Sequence, residues 1–116
     1  MSYPSIQTPW AKSPFFEEEL TKYQLTPANK ALVRHFAEHG YVIIDPEIDE
    51  LFIVEALAST KPEFKNQNTN RLENAWQRHK TIRKTSAGPR VLAILELLYQ
   101  RKPIPFQTLN FSTGSQ

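Results

Sequence analysis

Pro103-Ile104-Pro105-Phe106-Gln107-Thr108-Leu109-Asn110-Phe111-Ser112-Thr113-Gly114-Ser115-Gln116 is the stretch on which the fold turns. It reads as a β-strand that runs into a Gly/Ser turn. Side chains alternate along a strand, so Phe106, Thr108 and Asn110 share one face and Gln107, Leu109 and Phe111 the other. Pro103 and Pro105 force an extended lead-in and suit a strand start or an edge. A strand needs partners for its N–H and C=O groups. No residue after the turn supplies them, so the sequence raises the expectation of a truncated front part of something larger.

Working back from that strand, residues 89–101 form the most apolar helix, with Val91, Leu92, Ile94, Leu95, Leu98 and Tyr99 on its stripe and Leu97 widening it. A stripe this wide predicts packing against a sheet. Ser86-Ala87-Gly88-Pro89 breaks the helix before it and starts this one, with Pro89 near the first helical position. Upstream, Leu72, Ala75, Trp76, His79 and Ile82 fall on one face of a helix expected from Arg71. Residues 61–70, rich in Asn, Gln, Lys and Thr, read as a mobile surface loop.

Thr26-Pro27 marks a helix start, with Thr26 as the cap and Pro27 at the first helical position. Leu32, Val33 and Phe36 form its apolar stripe, and His39-Gly40 stops it, with Gly40 suited to a left-handed cap. Tyr41-Val42-Ile43-Ile44 reads as a short strand buried on both faces. Asp45-Pro46 is expected to cap the next helix, whose predicted buried face is Leu51, Val54, Leu57 and Ala58. Residues 1–25 read as an arm, punctuated by Pro4, Pro9 and Pro14 and held to a surface by Tyr3, Trp10, Phe15 and Phe16. Glu17-Glu18-Glu19 can open one helical turn there. The division is therefore an arm (1–25), a helical section with one short strand (26–102, strand 41–44) and an incomplete β-core (103–116). The fold class is α+β.

The 116 residues suffice for one small domain, and 40% hydrophobic with 22% charged residues suits a globular chain. No cysteine occurs, which excludes a disulfide framework and a thiolate site and is compatible with a cytoplasmic protein. No run approaches the ~20 apolar residues of a membrane helix. The net charge of +2 hides an asymmetry. Residues 1–64 hold five Lys/Arg and ten Asp/Glu, and residues 65–116 hold nine and two. Two oppositely charged solvated surfaces account for this; an anion-binding second half is the alternative.

Few motifs carry chemistry. His35-x-x-x-His39 has a metal-compatible spacing but lacks a third ligand and the glutamate of His-Glu-x-x-His. His79 sits on an apolar face beside Trp76 and reads as a core histidine with a hydrogen bond. Arg71, Arg78, Lys80, Arg83, Lys84 and Arg90 make a basic segment, but Trp76 points away from most of them, which argues against stacking on a base. No Gly-rich phosphate loop, nucleophile elbow, His-x-Asp or His-x-Glu is present.

Three blocks nonetheless resemble one family. "FAEHGYVIID" (36–45) is similar to the opening helix, glycine and strand of the phytanoyl-CoA dioxygenases, a family of Fe(II)/2-oxoglutarate-dependent oxygenases. "NAW" (74–76) and "VLAILELLYQRKPIPFQTLNFSTGSQ" (91–116) resemble the block that precedes the family's first iron-ligand motif. The resemblance covers residues from about 30 onward. It implies the front part of a double-stranded β-helix, or jelly roll, with residues 103–111 as one of its strands. Phe106, Thr108 and Asn110 would line the lumen, and Leu109 and Phe111 would pack on helices. Asn110, and beside it Thr108, would lie near the 2-oxoglutarate pocket. The implied parent activity is hydroxylation of a small organic or acyl substrate with Fe(II) and 2-oxoglutarate. The family's His-x-Asp follows the turn on which this sequence stops, so no metal ligand or cofactor is expected in this chain. Its expected partners are the missing C-terminal half or a second chain. A non-catalytic module pairing by strand addition, or a small basic domain binding nucleic acid or another anion, are the other classes.

Overall fold

A computed structural model describes residues 9–114. Tyr3 and Pro4 of the expected arm, and Ser115 and Gln116 of the expected turn, lie outside them. Helices dominate, and the described residues contain one two-stranded antiparallel sheet, an α+β composition. The chain divides into two compact units. One runs to Ile44 and resumes over Leu92–Pro103; the other comprises Asp45–Val91 and continues from Ile104.

The first unit contains a 3₁₀ turn (Trp10–Lys12), α1 (Phe16–Thr21) and α2 (Pro27–His39). Thr26 caps α2 by accepting the Asn29 N–H at 3.2 Å, and Pro27 opens it. Gly40 ends it in the left-handed region at φ 80°, donating its N–H to the Phe36 carbonyl. Arg34 reaches back to Glu17 on α1 with two hydrogen bonds. Val33 is fully buried and Leu20 is 1% exposed. Trp10 packs with both, its ring edge-on to Phe16 (5.6 Å) and Tyr23 (5.1 Å). From Trp10 onward the expected arm is thus part of a core rather than a strap laid over one.

The long apolar helix near the end of the chain, which we label α6 once the elements before it are given, also contributes Leu98, Ile94 and Leu97 to this core. The Trp10 Nε1–H donates to the Leu98 carbonyl at 2.7 Å. Its partners are therefore helices and the arm, which corrects the expectation of a sheet. Residues 41–44 form no strand. No ladder partner reaches them among the described residues. Val42 tucks against the core, Tyr41 meets the rings of His35 and His39, and Ile43 stays 88% exposed.

In the second unit, α3 (Glu50–Asn66) starts at Asp49, whose carboxylate accepts the Leu51 N–H at 2.9 Å. Asp45, expected as that cap, instead closes its own turn by accepting the Glu47 N–H at 2.8 Å. The helix also runs through Pro62 into the expected loop. Thr60, Glu63 and Phe64 hold it inward on both sides of the proline. The predicted buried face is overturned: Leu51, Val54 and Leu57 are more than 60% exposed, and Ala58 is exposed too. Ala56 and Thr60 face the core instead.

The chain then turns into β1 (Arg71–Glu73), α4 (Ala75–Arg78) and α5 (Lys80–Ala87), followed by α6 (Pro89–Tyr99) and β2 (Leu109–Phe111). Asn74 makes the strand-to-helix turn at φ 55°. Leu72, Ala75 and Ile82 are buried as the periodicity predicts, although Leu72 arrives there from a strand. Gly88 separates α5 from α6. A Cβ on it would stand 2.5 Å from the Lys84 carbonyl oxygen. β2 pairs antiparallel with β1, setting Arg71 opposite Phe111, Leu72 opposite Asn110 and Glu73 opposite Leu109. The partner for the opening stretch therefore lies upstream, in a segment read as helix.

Candidate functional site

The second unit carries the chemistry worth weighing. A groove of about 780 Å³ opens between α3, α5 and β2, walled by Ile53, Ala56, Leu57, Phe64, Ile82 and Phe111. Asn110 reaches it from β2, and its Oδ1 is buried with no hydrogen-bond partner. An unpartnered buried amide oxygen costs about 1–3 kcal/mol. Lys61 and Asp45 are the ionisable residues on the lining. The groove is mainly apolar, with Thr60, Thr85 and Ser112 as further polar residues on its lining.

Thr108 lies elsewhere. Its carbonyl accepts the Asn74 N–H at 2.8 Å and its Oγ1 accepts the Trp76 N–H at 3.3 Å. The hydroxyl satisfies one of the free N–H groups at the start of α4. Phe106 precedes the strand and is 80% exposed; Leu109 and Phe111 are 47% and 59% exposed. Leu109 and Phe111, expected to pack on helices, are thus half-exposed in this chain.

A polar cluster joins α3 to the α4–α5 junction. Glu63 Oε2 meets His79 Nε2 at 2.6 Å, and Arg78 pairs with the other carboxylate oxygen. Glu63 and His79 side chains are each 18% exposed. The hydrogen bond to His79 is the main reason the Glu63 carboxyl is held below its ordinary value of 4.5; partial burial opposes this and Arg78 reinforces it. His79 has its hydrogen bond, as the sequence predicts for a core histidine. Its carboxylate partner, sixteen residues away in a segment read as loop, had no local signal. No hydroxyl or thiol is hydrogen-bonded to His79 among the described residues, so the pair orients an imidazole without a nucleophile to activate.

The His35 and His39 rings stack at 4.3 Å. Among the described residues no three of His, Cys, Asp and Glu gather where a metal could be held. The basic segment is largely engaged. Arg71 pairs with Glu73, Arg78 with Glu63 and Arg90 with Glu47. Arg83 lies over Trp76 and Lys84 over Phe52. Trp76 thus does meet a cation, but one of its own unit. No helix among the described residues is long and apolar enough to cross a membrane.

Compared with known proteins, the chain matches no family model, no curated protein and no solved structure.

Proposed function

We propose that this chain is the helical front section of a phytanoyl-CoA-dioxygenase-like protein and presents a core strand of its jelly roll rather than the catalytic ligands. The sequence resemblance is its basis. The observation that supports it is β2, which follows an apolar helix and a Pro-x-Pro lead-in and keeps one edge and two apolar side chains open for further strands. In this reading Asn110 is the residue near the 2-oxoglutarate pocket, and Thr108 faces the lumen with its hydroxyl bound to the Trp76 N–H. Asn110 would offer its Nδ2–H groups to a ligand carboxylate, and its buried Oδ1 would need a donor from elsewhere.

Anaerobic titration with Fe(II) and 2-oxoglutarate tests the proposal. The 116-residue chain gives no charge-transfer absorption; the chain extended by its downstream reading frame gives one. Tight binding of both by the 116 residues, or none by the extended chain, overturns it. A nucleic-acid-binding domain is the weaker reading, because five of the six cations of the basic segment are tied to groups of their own unit.

A further inference from the structure

We propose that the free edge of β2 pairs with β2 of a second copy of this chain, giving a closed dimer with a four-stranded sheet. The backbone hydrogen bonds define which groups are free. The Asn74 N–H donates to Thr108 and the Ser112 N–H to Asn70. In an antiparallel ladder hydrogen-bonded pairs alternate with non-bonded ones. With the observed register, Leu72 and Asn110 form the bonded pair between those two. Leu109 and Phe111 then turn their N–H and C=O groups away from β1, and none of these is hydrogen-bonded among the described residues.

The opposite edge of the sheet differs. The outward N–H of Arg71 donates to Thr69 Oγ1 at 3.2 Å, and the same hydroxyl donates to the Arg71 carbonyl at 3.1 Å. The Glu73 carbonyl accepts from Arg78 at 3.4 Å. Among the described residues three of the four outward backbone groups of β1 are thus engaged, the Glu73 N–H being the exception, whereas none of the four on β2 is. Addition of a further strand at the β1 edge is correspondingly hindered, which favours association ending at two copies.

The open edge is self-complementary. An antiparallel pairing with its twofold at Asn110 sets Leu109 opposite Phe111 of the other copy, twice, as hydrogen-bonded pairs. The two apolar residues, both half-exposed or more, then cover each other on one face. On the other face Asn110 stands opposite Asn110 of the second copy, an uncharged pair. Charge permits this arrangement. A twofold brings like residues together, and a charge on the strand would face its own kind. Residues 103–114 carry no ionisable side chain. β1, by contrast, carries Arg71 and Glu73. The apolar groove beside β2 adds surface that a bare strand pair lacks.

This inference does not rest on the oxygenase reading. In an extended chain a following strand would take the same edge from within. Sedimentation equilibrium of the 116-residue chain over a dilution series gives twice the chain mass at high concentration and the single mass on dilution. Backbone amide exchange gives concentration-dependent protection of Leu109 and Phe111, with Asn110 protected throughout. Phe111→Lys yields a folded monomer by circular dichroism, and the control Glu73→Lys on the closed edge stays dimeric. Should Phe111→Lys fail to fold, amide exchange of the native chain decides alone. A monomer at every concentration, a mass that grows without limit, or a dimer whose Leu109 and Phe111 amides stay unprotected overturns the proposal.

Discussion

Gly88 shows how one position can be required without any unusual dihedral. Its φ of −66° suits any residue, yet a methyl group there would meet the Lys84 carbonyl oxygen at 2.5 Å. That oxygen belongs to the backbone of α5 and cannot swing aside. Gly88→Ala should lower unfolding stability by about 1–3 kcal/mol, the usual cost of overpacking, read from denaturant midpoints. Glu63 carries a second prediction at this scale. Its carboxyl is held below the ordinary 4.5 by His79 and Arg78. A lowered folded value means stabilisation that is complete above 4.5 and lost as the pH falls through the folded value. Glu63→Gln should therefore be less stable at neutral pH, by about 1 kcal/mol, and should converge with the native chain in acid. Parallel curves down to the lowest pH would remove Glu63 as the cause.

At the scale of elements, the ends of α2 and the Gly88-Pro89 break were legible, whereas both ends of α3 and its inward face were not. Thr26-Pro27, Gly40 and Gly88-Pro89 place the boundaries of α2, α5 and α6 as the sequence predicts. Capping chemistry is settled within a turn of chain. The inward face of α3 depends on what it packs against. Its partners are Leu72, Ala75 and Ile82, which select Ala56 and Thr60 and leave the larger Leu57 outside. Leu57→Ser should thus change stability by under about 0.5 kcal/mol, whereas Leu72→Ala should cost about 2–5 kcal/mol. Equal losses in thermal unfolding would contradict the observed face. His79 was legible as a hydrogen-bonded histidine, though it is half-buried in a polar cluster rather than in the core, and Glu63 was not legible as its partner. A contact between residues 63 and 79 needs the path of α3 through Pro62 to be known first.

At the scale of the whole molecule, apolar surface is the outstanding feature. Leu51, Ile53, Val54 and Leu57 on α3, and Ile104, Phe106, Leu109 and Phe111 at the end of the described chain, are all exposed by 47% or more. Scattered exposed apolar residues need no explanation, but contiguous ones mark interaction surfaces. The native chain should therefore enhance the fluorescence of a hydrophobic dye such as ANS while still unfolding cooperatively and keeping its near-ultraviolet circular dichroism. That combination separates an exposed native face from a loosely packed state. Absence of dye binding would mean that these surfaces are covered in solution.

The sequence by itself determined the α+β character, the capped start and stop of α2, the Gly88-Pro89 break, the burial of Val33, Leu72, Ala75, Ile82 and Leu98 and a strand late in the chain, expected over 103–111 and found over Leu109–Phe111 alone. These follow from caps, prolines and side-chain periodicity, which act over a few residues. Only the tertiary structure decided that Arg71–Glu73 is a strand, that Trp10 belongs to a core and that residues 41–44 have no ladder. Each depends on a partner remote in sequence. A strand exists only where another backbone offers its hydrogen bonds, and for the stretch beginning at Pro103 that backbone is Arg71–Glu73, far upstream in the sequence.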